Sequence, residues 1–213
     1  MPEFSHCPLC GGSNSLPFYH NERRIFKRCQ NCFLVYVLPK YYLHSAAELA
    51  EYDKHQNVVD DPGYRSFLSR LSKPLLEQLS PGARGLDFGC GPGPALADML
   101  THAGCSMDVY DVFYRPDQSV LEKNFDFICA TEVVEHLHCP GEVLEQLWKL
   151  ISIGGYLGIM TKLVLDQNAF ASWHYKNDPT HVCFFSRQTF QWWAEEYDAR
   201  VEFIGADVII LSK

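Results

Sequence analysis

Between residues 85 and 94 the chain reads Gly-Leu-Asp-Phe-Gly-Cys-Gly-Pro-Gly-Pro: a strand-like run that breaks into three alternate glycines, Gly89, Gly91 and Gly93, and then enters a helical pattern. No other feature restricts the fold more. Alternate glycines let the backbone turn tightly and let a ligand approach where a Cβ would otherwise stand. The helix start that follows favours a negative group. A strand, a glycine turn and a helix in this order open a parallel sheet with crossover helices. A dinucleotide fingerprint needs Gly-x-Gly-x-x-Gly/Ala, and its sixth place here is Pro94. A phosphate loop needs Gly-Lys-Ser/Thr, which does not follow.

The hydrophobic period supports the same architecture. From Ala83 onward short apolar runs alternate with helical patterns. Strands are expected at Gly85–Phe88, Met107–Val112, Phe125–Ala130 and Tyr156–Thr161, with helices at Pro94–Ala103 and Gly141–Ile151. A third helix, Ser186–Tyr197, precedes two strands, Arg200–Ile204 and Val208–Leu211, joined by three residues that suit a hairpin. Residues 41–80 read as helical. Ser45-Ala-Ala-Glu has a capping-box pattern, Asp61-Pro62-Gly63 is a break, and Pro74 predicts a kink or restart.

The N-terminal 40 residues follow another rule. Cys7-Pro-Leu-Cys10 and Cys29-Gln-Asn-Cys32 form Cys-x2-Cys-x18-Cys-x2-Cys. Two such turns bring four thiolates together for tetrahedral zinc, and a closed four-sulfur site is structural. A redox Cys-x-x-Cys is the competing reading of either pair alone. Gly11 fits the turn after the first pair, whereas Phe33 stands where glycine is commoner in the second. His6 and His20 are candidate substitute ligands. The remaining five cysteines, Cys90, Cys105, Cys129, Cys139 and Cys183, have apolar neighbours and read as buried, reduced thiols.

Charge divides the chain in the same place. Residues 1–45 carry five basic and two acidic groups, net +3, and the rest carries 13 basic and 24 acidic, net −11. An acidic main domain repels phosphate backbones, which argues against a nucleic-acid partner. The basic run Arg23–Arg28 reads as a solvated strand face or as charge compensation for the thiolates. The longest apolar run, Cys32–Leu38, is too short for a membrane span, and the N-terminus has no signal-peptide pattern, so a cytoplasmic location is expected.

Asp87, just before the glycine loop, would repel a pyrophosphate and would pair with an amino group. Asp111, closing the next strand, is placed for ribose hydroxyls. A ligand with a nucleoside, a carboxylate and an ammonium meets both demands, as S-adenosylmethionine does. At this point the sequence resembles the class I S-adenosylmethionine-dependent methyltransferases. Leu86–Gly93 is similar to their first motif, Phe125–Leu137 to their fourth-strand motif, and Leu150–Leu157, with Gly154-Gly155, to their turn into strand five. The resemblance covers residues 65–213, and Arg28–Pro39 is similar to the zinc ribbon that some members carry, sugar C-methyltransferases among them.

The resemblance implies a doubly wound, mostly parallel α/β sheet of the seven-stranded type with an antiparallel last strand, beside a small zinc ribbon. The expected organisation is a ribbon over 1–40, a helical linker or lid over 41–80, and a Rossmann-like methyltransferase domain over 81–213. Only thirteen residues separate Asp111 from Phe125, so the sheet is shortened around strand three, with at most a short strand at Asp117–Leu121 and Glu122 as the adenine-side acid. Cofactor contacts fall on Asp87, Gly89, Cys90, Gly91, Gly93, Asp111, Thr131 and Glu132, and structural zinc on Cys7, Cys10, Cys29 and Cys32.

Acceptor-side candidates lie at the carboxyl ends of the strands. Glu132, Glu135, His136 and His138 follow strand four, and Trp173–His181 follows strand five. His181 is the first candidate for a catalytic or substrate-orienting group and His136 the second; helix capping and loop bracing are the structural alternatives. The expected activity is methyl transfer to a small-molecule acceptor. RNA methylation through the ribbon and a non-catalytic cofactor-binding or docking module remain alternatives. The long C-terminal domain of the sugar enzymes does not follow Lys213, so their substrate does not carry over.

Overall fold

The computed structural model describes residues 6–54 and 58–213. Strands β1 (Ser15–His20), β2 (Ile25–Cys29) and β3 (Val35–Val37) form an antiparallel unit between and after the two cysteine turns. All four sulfurs lie within 4.8 Å of one another, with Cys7 and Cys32 at 3.4 Å and Cys10 and Cys29 at 3.5 Å. Thiolates bound about 2.3 Å from a tetrahedral zinc would sit about 3.8 Å apart. The N–H groups of Gly12 and Asn31 point at the sulfurs of Cys10 and Cys29, each at 3.4 Å. Donor set and spacing are therefore compatible with zinc, without His6 or His20. Phe33 takes the same left-handed turn as Gly11, at φ 62° against 70°. That conformation costs a non-glycine residue about 1–2 kcal/mol, and the Arg28 guanidinium lies over the Phe33 ring at 5.2 Å.

Helices α1 (Ser45–Tyr52) and α2 (Pro62–Leu76) occupy the expected helical stretches. The α1 cap differs from expectation. His44, not Ser45, caps it, its ring Nδ1 accepting from the Ala47 N–H at 3.3 Å. Asp61 caps α2 by accepting from the Tyr64 N–H at 2.6 Å. Pro74 falls in the last turn of α2, which runs on to Leu76 without a restart.

The main sheet follows: β4 (Arg84–Phe88), α3 (Ala95–His102), β5 (Ser106–Tyr110), β6 (Phe125–Thr131), α4 (Pro140–Leu150) and β7 (Ile151–Met160). After α5 (Gln167–Ser172) and β8 (Cys183–Phe184) come α6 (Arg187–Glu196), β9 (Arg200–Ile204) and β10 (Val208–Ser212). Six strands stand in the order β5-β4-β6-β7-β10-β9, the first four parallel. The last strand, β10, is antiparallel as expected, but it lies inside the sheet between β7 and β9. No third strand forms at Asp117–Leu121. Asp117 instead caps a 3-10 turn, Gln118–Glu122, by accepting from the Ser119 N–H at 3.0 Å, and the segment is too short for a strand plus a crossover.

Both faces of the sheet are covered, which explains the near-continuous apolar strands. Along β6, Phe127 and Cys129 pack toward α2 and α3, while Ile128 and Ala130 pack toward α4, α6 and the ribbon. The ribbon is thereby part of the larger core, and β8 extends its sheet through β3, giving the order β1-β2-β3-β8. Its first cysteine turn also sits on the start of α4: the Gly141 N–H donates to the Pro8 carbonyl at 3.2 Å, and a Cβ on Gly141 would lie 2.2 Å from the Leu9 oxygen. Four of the five scattered cysteines are buried as expected, but Cys139, beside that α4 start, is exposed. Among the described residues no helix is long and apolar enough to cross a membrane.

Candidate active site

The sheet's strand order reverses between β4 and β6, and a cavity of about 840 Å³ opens at the carboxyl ends of the parallel strands there. One wall is the loop after β4. Gly89 and Gly91 adopt φ of 73° and 64°. A Cβ on Gly89 would stand 2.4 Å from the Val133 side chain, so only glycine lets the loop close on the turn after β6. The N–H groups of Gly89 and Cys90 both donate to the Tyr110 carbonyl, at 2.8 and 3.2 Å. Gly89, Cys90 and Gly91 line the cavity; Gly93 does not.

Asp111 shapes this wall. One carboxylate oxygen accepts from the Gly91 N–H at 2.9 Å, and the other from Phe113 and Tyr114, at 2.9 and 3.1 Å. It thus ties the glycine loop to the turn after β5. Asp87 is fully buried beneath the loop and faces the same cavity; burial, with the Asp111 charge adding, pushes its carboxyl up to about 7. Thr131 and Glu132 also line the cavity. Glu122 does not: it is exposed on the far side of its turn, and Gln118 and Leu121 line the cavity in its place.

The opposite wall joins the end of β6 to the segment after β7. Glu135 is fully buried, with one oxygen accepting from the Tyr175 hydroxyl and the other from the Thr161 hydroxyl at 3.0 Å. Burial, with the Glu132 charge adding, pushes its carboxyl up to about 8. The His136 and His181 rings meet edge to face at 4.6 Å, and His181 packs on Tyr175 at 4.1 Å. The His181 Nδ1–H donates to the Tyr175 carbonyl at 2.8 Å, and burial holds the imidazole below its ordinary pKa, so it is neutral and Nε2 remains an acceptor. Glu135, His136 and His181 offer potential ligand atoms within 4.8 Å of one another, although hydroxyls already engage both Glu135 oxygens.

Helices α1 and α2 supply the cover. Ser45, Glu48 and Tyr52 of α1, and Tyr64 and Phe67 of α2, line the cavity. The Tyr114 hydroxyl donates to Asp53 at 2.8 Å, which fastens the end of α1 to the Asp111 turn. The structure therefore gathers both histidines, Asp87, Asp111, Thr131, Glu132 and two of the three glycines around one space. The roles of Tyr175 and Thr161 were missed, because the pairing with Glu135 spans 40 and 26 residues of sequence.

The model of a methyltransferase domain family matches residues 60–202. The chain belongs to that family. Solved methyltransferase structures share its fold. The Burkholderia thailandensis 1,6-didemethyltoxoflavin-N1-methyltransferase, solved with its substrate and S-adenosylhomocysteine, is 14% identical, with a TM-score of 0.54 over 92% of this chain and 96% of that one. A candidate methyltransferase from Bacillus halodurans is 15% identical, with a TM-score of 0.51 over 64% of this chain and 67% of that one. No curated protein matches the sequence.

Asp111→Ala strands three N–H donors that shape the methyltransferase's glycine-loop wall. Losing hydrogen bonds to a charged acceptor costs about 1.5–3 kcal/mol. Urea unfolding should show a loss of that size, and calorimetry a weaker affinity for S-adenosylhomocysteine; unchanged values in both would mean the turn holds without the carboxylate.

Proposed function

We propose that this protein transfers a methyl group from S-adenosylmethionine to a small-molecule acceptor, with a structural zinc in the ribbon. The observation that carries this reading is a cavity whose one wall is the glycine loop and whose other wall holds His181, Tyr175 and Asp178. Its volume lies within the roughly 300–1,000 Å³ typical of small-molecule sites. Helices α1 and α2 cover it, which suits a compact acceptor better than a polymer. The ribbon's basic run supports the same preference: Arg24 is buried, and Arg28 is engaged by Gln188 and the Phe33 ring. A cytoplasmic location fits this reading.

Asp87 would face the cofactor's ammonium, the Gly89–Gly91 backbone its methionine portion, and Asp111 its ribose. Bound there, S-adenosylmethionine supplies an electrophilic methyl and departs as a neutral thioether. Positioning then does most of the work. The neutral Nε2 of His181 can accept a hydrogen bond from an acceptor N–H or O–H and orient it, with His136 beside it.

Cys7, Cys10, Cys29 and Cys32 would hold the zinc, supplying only a fold-stabilising crosslink. Metal analysis of protein expressed with ample zinc should give one zinc per chain, lost in Cys29→Ser; a zinc-free, fully folded protein would refute the assignment.

Cofactor affinity should depend on pH through Asp87. Its carboxyl titrates near 7, and only the ionised form pairs with an ammonium. Affinity for S-adenosylhomocysteine should therefore rise with pH, approaching tenfold per unit below that value. Calorimetry at successive pH values should show the slope in the wild type and a shallower one in Asp87→Asn, where Glu132, also raised to about 7 by burial, still titrates.

Incubation with labelled cofactor and the small-molecule fraction of a cell extract should yield a labelled product identifiable by mass. Loss of a base typically costs about 10²–10⁴ in rate. His181→Asn should fall in that range while its affinity for S-adenosylhomocysteine stays unchanged. Label in RNA rather than small molecules, with a steep salt dependence, would overturn the acceptor class.

A further inference from the structure

The ribbon has no role in the site described so far, yet one of its side chains reaches the acceptor wall. Arg24 sits in a basic run expected to face solvent, but it is 8% exposed. Its Nη1 donates to the His181 carbonyl at 2.8 Å, and its Nη2 donates to the carbonyls of Asp178, at 2.8 Å, and Lys176. Three acceptors of one six-residue turn thus converge on one planar guanidinium. That turn carries Asp178 and His181 to the cavity.

We propose that Arg24 is a positioning residue, through which the N-terminal ribbon sets the Lys176–His181 turn and makes the acceptor wall of the site. The assignment of that wall to the acceptor rests on the proposed function; the mechanical coupling does not.

The guanidinium is anchored at its own end. In the hairpin before β2, Asn21 Oδ1 accepts from the N–H groups of Arg23 and Arg24, at 2.9 and 2.8 Å, and the Asn21 N–H donates to the Arg24 carbonyl at 3.1 Å. The guanidinium lies 5.4 Å from the Phe26 ring centre. Strand β2 then runs from Ile25 to Cys29, so the arginine is one strand away from the four-sulfur cluster. The three acceptors are neutral carbonyl oxygens, so the geometry of the fork selects them, with the Asp178 charge adding attraction. A rigid fork with five N–H donors can bridge three carbonyls at once. A lysine ammonium, a point charge on a flexible stem, cannot reproduce that span.

The turn's far end is tied to the ribbon as well. The Val37 N–H donates to the Val182 carbonyl at 3.0 Å, the Val182 N–H donates to the Glu135 carbonyl at 2.8 Å, and β8 continues the ribbon sheet. Without Arg24, the stretch between Tyr175 and Val182 would keep its end anchors and lose its middle one.

The test uses full-length Arg24→Ala and Arg24→Lys, with amide hydrogen exchange read by mass spectrometry over residues 174–182, 25–37 and 85–96, and S-adenosylhomocysteine affinity read by calorimetry. Exchange over 174–182 should rise by about tenfold or more in both variants, the equivalent of one charge-assisted hydrogen bond. Protection over the other two segments and cofactor-product affinity should stay within about twofold of wild type. Guanidinium at about 10 mM, far below the molar range that unfolds proteins, should restore protection in Arg24→Ala, and ammonium at the same concentration should not. Unchanged exchange over 174–182 would overturn the proposal, as would equal loss across the ribbon, which would make Arg24 a folding residue of the ribbon alone. Should Arg24→Ala not fold, Arg24→Lys decides by the same comparison. A wild type that does not bind S-adenosylhomocysteine would refute the methyltransferase reading while leaving the exchange result to judge the coupling.

Discussion

The buried carboxyl of Glu135 is the interaction on which the site's architecture depends. It lies just past β6, receives hydroxyl hydrogens from Thr161 past β7 and from Tyr175 in the following segment, and is wholly removed from water. An unpaired carboxylate there would be costly. The two hydroxyl donors offset that cost by favouring the ionised form, while burial, with the Glu132 charge adding, pushes the carboxyl up to about 8. Its main-chain carbonyl accepts from Val182, one residue before β8. A single residue therefore joins the main sheet, the segment after β7 and the sheet of the ribbon.

The glycine-loop wall is organised by different means. There the determining groups are backbone: left-handed glycines at 89 and 91, N–H groups turned toward Tyr110 and Asp111, and a Gly89 that leaves room for Val133. The loop itself is a short run of sequence, and it closes against Tyr110, Asp111 and Val133. The opposite wall, by contrast, draws on α1, the end of β6, the segment after β7 and Arg24 of the ribbon. The glycine loop is local, whereas the opposite wall is assembled from the whole chain.

This difference explains the position of the ribbon. A unit of about 35 residues cannot bury a sufficient core alone. Four closely placed cysteines supply one remedy, and shared packing supplies the other: Phe26 contacts Phe170 and Phe184 at ring distances of 5.2 and 5.6 Å, within the same core as α4 and α6. The apolar face that stabilises the ribbon is also what brings Arg24 within reach of the carbonyls after Tyr175.

Whatever depends on local chemistry was legible in the sequence. Glycine spacing disclosed the loop after β4, because only certain residues accept its backbone angles. Cysteine spacing disclosed the four-sulfur cluster, and apolar periodicity disclosed β4, β6, α3 and α4 to within a few residues. Tertiary structure decided the rest. It formed a capped 3-10 turn where the sequence allowed at most a short strand, left Glu122 outside the cavity, exposed Cys139, and placed β10 between β7 and β9. It also buried Arg24, which shares strand parity with the inward-facing Phe26; that parity was the one available signal, but a charged residue at such a position is unfavourable until partners are known. Those partners are carbonyl oxygens more than 150 residues away. Main-chain acceptors exist at every residue and leave no mark in the sequence, so only the folded chain could select which three would meet the guanidinium.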